Sequence, residues 1–266
     1  EQSVSQIVDL KPKIACFVVY GQQPSASTQN MEGATQVSKL LKKHEPNIKI
    51  LFVGGHVAAL PKETLKDESS IDFICLNEGV YAINNLLKIN NLNDNSYISK
   101  VNGIGYRDEE NNIVLNTPEI VVPKKKLNDD LPGVAWDMLP DFSEYRTAGW
   151  HSWSNKTEKE PFAALYTSLG CPYKCGFCMI NIVNRTDPSD GITAADSNVY
   201  RFWTPEFIIK QFDHLAASGV KNIKFVYQWR LLDSPRLHEL IIPQENAARR
   251  FCLTKSHNDR TGFAIY

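Results

Sequence analysis

The sequence has no run of 18 apolar residues, so no segment of it reads as a membrane-spanning helix. It has no surplus of either charge: 29 Lys and Arg stand against 30 Asp and Glu, and the charged residues are dispersed. That balance excludes the basic face a nucleic-acid binder needs and the acidic tail of a solvated interaction segment. The opening residues EQSVSQIVDL are neither a signal peptide nor a transit peptide. They also lack an initiator Met, which leads to the expectation that the natural start lies upstream. There is no second Cys-x-x-Cys pair and no His-x3-5-His pair, the usual complements of a structural zinc site.

What is present is concentrated in residues 165–184, LYTSLGCPYKCGFCMINIVN. Cys171, Cys175 and Cys178 are spaced Cys-x3-Cys-x2-Cys behind a short apolar run that reads as a strand. Three thiolates this close converge on one centre or sit idle. A disulfide framework fits an odd number badly, and nothing points to export. A cubane iron–sulfur cluster has one iron more than this loop has cysteines, so it would be left with an open metal position for a substrate or cofactor. Pro172 stiffens the turn and Gly176 permits close approach to a bulky cluster. A structural metal knot, or buried cysteines with no ligand, are the plainer alternatives.

These residues carry a resemblance. GCPYKCGFC resembles the cluster loop of the radical S-adenosylmethionine (SAM) enzymes. The resemblance implies that Cys171, Cys175 and Cys178 hold a [4Fe–4S] cluster, that SAM chelates the fourth iron, and that an electron from the cluster cleaves SAM to a 5′-deoxyadenosyl radical. It implies that Phe177 lies near the SAM adenine. It also implies an electron donor such as a flavodoxin or ferredoxin. An oxygen-sensitive cluster and unpaired cysteines fit a reducing cytoplasm.

The first third reads as alternating strands and helices. Residues 3–10 suit the end of a helix, and 13–20 (KIACFVVY) a buried parallel strand. A helical stripe follows at 31–44, a second buried strand at 49–53, a helix near 62–67, a third strand at 73–76 and a helix at 81–88. This is the pattern of a parallel sheet with helices on both faces, whose ligand lies beyond the carboxyl ends of the strands. The loops at those ends are 21–30, 54–56 and 77–79. Their glycines are expected to let backbone approach a flat ligand.

FVGGHVAALPKETL…IDFICLNEG resembles the cobalamin-binding domain that precedes the barrel in a large class of radical SAM proteins. There the Gly-Gly motif lines the pocket for the nucleotide tail, and a Ser-x-Leu or Ser-x-Thr motif lies upstream. Ser25-Ala26-Ser27 stands at that spacing, with Ser in place of Leu. The resemblance implies Ser25, Gly54 and Gly55 as cobalamin contacts, with His56 and Glu78 beside them. The family's Asp-x-His-x-x-Gly motif is absent. His56 alone reads more naturally as a pocket-wall or surface residue than as an axial ligand.

Residues 101–116 alternate around Asp-Glu-Glu-Asn-Asn and predict a hairpin. Residues 121–139 read as an extended connector, with Trp136, Met138 and Tyr145 as expected buried anchors. Trp150, His151 and Trp153 read as packing residues ahead of a barrel. A first barrel strand is expected at 163–169, a capped helix from Thr204-Pro205-Glu206 to Gly219, and a second strand at 222–227. Its end offers Gln228-Trp229-Arg230 where relatives carry an acidic or glycine-rich motif. Beyond Ile242 the alternation dissolves, and too few residues remain for a full barrel.

The expected fold is therefore α/β: a Rossmann-like, parallel-sheet, cobalamin-binding-type domain over 1–98, a hairpin and linker over 99–160, and an incomplete (β/α) radical SAM barrel over 161–266. The expected function is reductive SAM cleavage with cobalamin-dependent methyl transfer, cyclisation or rearrangement at an unactivated carbon of a small-molecule or peptide substrate. A methylthiotransferase-like enzyme is one alternative, weakened because only Cys16 and Cys75 lie in the N-terminal domain, both inside expected strands. A non-catalytic cobalamin- or metal-binding module is the other.

Overall fold

The computed structural model describes residues 2–20, 26–139, 141–145, 161–173, 180–184, 200–220, 222–226, 253–255 and 263–265. It divides into two compact units. The first comprises Glu1–Pro123 with Gly170–Tyr200, the second Lys124–Leu169 with Arg201–Tyr266.

The first unit runs α1 (Gln2–Asp9), β1 (Ile14–Val19), α2 (Ala26–His44), β2 (Lys49–Gly54), α3 (Gly55–Ala59), α4 (Pro61–Asp67), β3 (Phe73–Cys75), α5 (Val80–Leu87), α6 (Asn95–Ile98), β4 (Ile104–Arg107) and β5 (Ile113–Leu115). The five strands lie side by side in sequence order. β1, β2 and β3 are parallel, and β4 and β5 are antiparallel additions. The hairpin expected at 101–116 is this β4–β5 pair, and it extends the sheet. Its turn is held by Asp108, whose Oδ1 accepts the N–H groups of Glu110 and Asn112 at 3.0 and 2.7 Å.

Strand period sets the core. Ile50 and Phe52 of β2 pack with Met31 and Leu41 of α2 and Leu65 of α4. Leu51 and Val53 point the other way, into Ala82 and Leu86 of α5 and Ile98. β2 is thus covered on both faces, the usual condition of a parallel strand. β1 departs from its expectation. It is parallel, but it is the edge of the described sheet, with Val18 66% exposed and Cys16 exposed as well. Arg107 closes the far end of α4: its guanidinium donates to the carbonyls of Leu65, Glu68 and Ile71, satisfying groups the helix end leaves open.

The second unit contains a short helix α7 (Leu127–Asp130), β6 (Phe162–Tyr166), β7 (Ser168–Leu169), β8 (Arg201–Phe202), α8 (Pro205–Ala217), β9 (Asn222–Val226), β10 (Leu253–Lys255) and β11 (Phe263–Ile265). β6 and β9 pair in parallel, with α8 between them in sequence, so one β–α–β step is present. Thr204 caps α8 by accepting the Phe207 N–H, and Pro205 occupies its first turn. Gly219 (φ 86°) ends it, with the Val220 N–H returning to the Leu215 carbonyl. The first barrel strand is shorter than expected. After Tyr166 the chain changes partner, and β7 pairs antiparallel with β8. β10 and β11 add to β9 in antiparallel fashion.

Of the expected connector anchors, Trp136 is buried and donates its indole N–H to Gln211 Oε1 of α8 at 2.8 Å. Met138 and Tyr145 are not buried, at 81% and 39% exposed. The tight turn at Trp136–Met138 aims its three side chains in different directions, and Trp136 is the one that meets α8. Trp150, His151, Trp153 and residues 228–230 lie outside the described residues. Among the described residues, no helix is long and apolar enough to cross a membrane.

The parallel pairing of β1 and β2 ends at Val19 opposite Gly54. Gly54 has φ +154°, and a β-carbon there would lie 2.1 Å from the Val19 carbonyl oxygen. Gly54→Ala is therefore expected to destabilise the chain by about 3 kcal/mol, through backbone strain and a clash with backbone that cannot swing away. Denaturant unfolding, comparing midpoints at equal slope, measures it.

Candidate functional site

The carboxyl ends of β1, β2 and β3 meet one cluster of polar groups. Ser27, in the first turn of α2, is 1% exposed. Its hydroxyl donates to the Val19 carbonyl at 2.5 Å and accepts the His56 N–H at 3.0 Å. One side chain thus joins the end of β1, the start of α2 and the first turn of α3. His56 turns its ring to Thr28, with Nδ1 3.1 Å from the hydroxyl. Burial holds the imidazole below its ordinary value of 6.5, because charging it would remove hydration the pocket does not replace.

Next to it, Asn77 is buried, donates to the Glu119 carbonyl at 2.7 Å and receives the Gly79 N–H at 3.1 Å. Glu78 Oε1 accepts the Val122 N–H at 2.6 Å. This loop is bound to the 119–122 strap, and one oxygen of Glu78 is committed there.

One expectation changes: the segment expected as loop at 21–30 is helical from residue 26, the first turns of α2, and Gly55 and His56 already belong to α3. Gly54 and Gly79 also meet the protein's own atoms. The space beside Gly54 is taken by Val19 and Ser27. That beside Gly79 is taken by Cys75 Sγ and Val53, at 2.9 and 3.1 Å from a notional β-carbon. These glycines let the protein pack against itself. Ser27, the third residue of Ser25-Ala26-Ser27, bonds to the protein's own Val19 and His56. Ser25 lies outside the described residues.

Of the cysteine loop, Cys171 is described. Cys175, Cys178 and Phe177 lie outside the described residues. Cys171 is half-buried and its thiol is free of any disulfide. Gly170 before it adopts a left-handed conformation (φ 82°), which turns the chain sharply out of β7. Asn181 grips the loop's start, receiving the Cys171 N–H at 3.0 Å and donating to the Cys171 and Tyr173 carbonyls, both at 3.1 Å. Three residues earlier than Cys171, the buried Ser168 hydroxyl has no hydrogen-bond partner among the described residues. Cys75 sits fully buried in β3, where desolvation pushes its thiol far up and keeps it protonated, with nearby Cys16 adding to the effect. No cluster of three metal-ligating side chains occurs among the described residues. A cavity of about 510 Å³ lies at the amino ends of β1 and β2, beside Lys13 and Lys49, opposite the end where such sheets bind ligands.

The family described as "B12 binding domain" matches residues 1–87. An uncharacterized methyltransferase of Pyrococcus horikoshii is 28% identical over 58% of this chain and 30% of its own length. The 4′-phospho-dehydrooxetanocin synthase of Priestia megaterium is 26% identical over 84% of this chain and 25% of its own. The chain is similar to cobalamin-dependent radical SAM enzymes. It spans about a quarter to a third of the length of these two relatives. The fold agrees. The cobalamin-dependent SAM radical enzyme OxsB, solved with aqua-cobalamin and SAM, superposes over 82% of this chain and 25% of its own with a TM-score of 0.56 at 24% identity. The radical SAM methyltransferase TsrM of Kitasatospora setae superposes over 92% of this chain and 43% of its own with a TM-score of 0.55 at 11% identity.

The His56 environment fixes a pH dependence. Its folded value lies below its unfolded value, so the unfolded chain takes up the proton first as pH falls. Stability is then full above about pH 6.5 and declines below it. Melting temperatures measured between pH 7.5 and 5 should fall for the native chain, and fall less for His56→Gln.

Proposed function

We propose that this chain is part of a cobalamin-dependent radical SAM enzyme. Cys171, Cys175 and Cys178 hold a [4Fe–4S] cluster whose fourth iron takes SAM, and the loops at Ser27, Gly54–Gly55 and His56 receive cobalamin. One observation carries the reading: the cysteine triplet directly follows β7, in a chain whose residues 1–87 match the B12 binding domain. The donor set suits the cluster, since thiolates are its usual ligands and three of them leave one position open. When bound, these groups would supply reductive SAM cleavage and a methyl carrier.

The chain's own residues do the holding. Gly170 and Asn181 fix where Cys171 stands. Ser27 fixes the first turn of α3 under the corrinoid loop. His56, neutral at physiological pH, offers a hydrogen bond without a charge. Phe177 would be the residue beside the SAM adenine. The electron donor is a flavodoxin- or ferredoxin-type protein. The product class is a methylated, cyclised or rearranged small molecule or peptide.

A second reading is a cofactor-binding module without catalysis. One observation favours it: beyond β9 the described strands join antiparallel and do not continue the β–α steps of a barrel.

Anaerobic reconstitution with iron and sulfide separates the readings. The proposal expects about four irons per chain and an EPR signal that SAM perturbs, with reductive cleavage of SAM to methionine and 5′-deoxyadenosine under a strong reductant. Cys175→Ala should lose the signal. Iron that ignores SAM would sink the enzymatic reading for this chain, and zinc in place of iron would sink the cluster.

A further inference from the structure

We infer that Asn181 and Ile182 are positioning residues that hang the cysteine loop on helix α3, so that occupancy of the Gly54–His56 loop is felt at Cys171. The inference rests on the cofactor assignment above, but its first test does not.

Both ends of the link lie within the first unit. At one end, Asn181 is 7% exposed and makes three hydrogen bonds to the loop's backbone, one as acceptor and two as donor. Only a carboxamide supplies both functions in one plane. A carboxylate could still receive the Cys171 N–H but would face two carbonyl oxygens with no proton to offer. The Asn184 N–H returns to the Asn181 carbonyl at 2.9 Å and closes the turn Ile182–Asn184 behind it. At the other end, the adjacent residue Ile182 is 1% exposed and packs on Ala58 and Ala59 of α3, with Val183 against the same cluster. Those alanines are small enough to let the turn approach closely. α3 begins at Gly55, and its first turn is fixed by the Ser27 hydroxyl through the His56 N–H.

The chain of contact is therefore continuous: Ser27 to His56, along less than one turn of helix to Ala58 and Ala59, across to Ile182, and through the adjacent Asn181 to Cys171. Every lateral step is a buried contact or a hydrogen bond, so a shift of α3 has no slack to absorb it. Neither residue bears a metal-binding or reactive group toward the loop. Their role is to set where the loop starts.

Amide hydrogen exchange on the full chain tests this, because the Cys171 N–H is the proton Asn181 receives. In the cofactor-free protein, Asn181→Leu, which removes the acceptor at similar size, and Ile182→Ala should each speed Cys171 exchange by about tenfold or more, the effect expected from losing one such hydrogen bond. Protection of residues 49–54 in β2 should stay as it is, which controls for misfolding. Unchanged Cys171 exchange in both variants, with β2 intact, overturns the inference. Adding hydroxocobalamin to the native chain should slow Cys171 exchange. Ile182→Ala should bind the cofactor with its absorbance change intact yet transmit no slowing. Equal slowing in both proteins would overturn the coupling. If the native chain takes up no cobalamin, the cofactor assignment fails, while the cofactor-free comparison still decides the role of Asn181 and Ile182.

Discussion

At the carboxyl end of the parallel sheet, the Val19 carbonyl occupies the space in which any residue but glycine at position 54 would carry a β-carbon. This close approach lies at the last pair of the β1–β2 register, Val19 opposite Gly54. Ser27 joins β1 to α3 with one hydroxyl, donating to Val19 and accepting from His56. The helix that starts there, α3, supports the turn after the cysteines through Ile182. The local geometry of both loops thus goes back to one missing methyl group. The rigidity beneath comes from β2, whose Ile50 and Phe52 fill one core and whose Leu51 and Val53 fill the other.

Polar residues carry the loops, apolar residues the scaffold. Asn77, Asn181, Ser27 and Arg107 each bind backbone groups that turns and helix ends would otherwise leave bare. Each is held in a surround of low dielectric, where a made hydrogen bond is firm and a missing one is costly. Such loops keep their shape before a ligand arrives. That is a requirement for gripping large cofactors without a large ordering cost.

Much of this was legible in the sequence. The continuous apolar runs at 13–20 and 49–53 became β1 and β2, and the periodic stripe at 31–44 became the greater part of α2, because strand and helix periods leave different patterns. The polar turn of the 101–116 hairpin and the Thr204 cap followed from local chemistry alone. What escaped was decided by tertiary neighbours. KIACFVVY reads the same at a sheet edge as at its centre, so the exposure of Val18 was hidden. That Val19 and Ser27 come close to Gly54 was hidden, because sequence does not say whose atoms approach a glycine. Ser25 and Ser27 are equivalent in a motif, and only helix geometry turns Ser27 toward Val19. Met138 is as apolar as a buried anchor, yet in the turn it shares with Trp136 it is Trp136 that meets α8 and Met138 that is exposed. Asn181 and Asn184 are the two polar residues of the otherwise apolar MINIVN run, a signal that could have marked them as buried and bonded.

The central claim is that one chain holds a corrinoid and an iron–sulfur cluster together. The most direct measurement is the cobalt and iron content of a single anaerobically reconstituted sample after size-exclusion chromatography. About one cobalt and about four irons, eluting with the folded chain in one peak, is the predicted result. Iron without cobalt, or cobalt without iron, on a chain whose β-sheet remains protected from exchange would contradict the account.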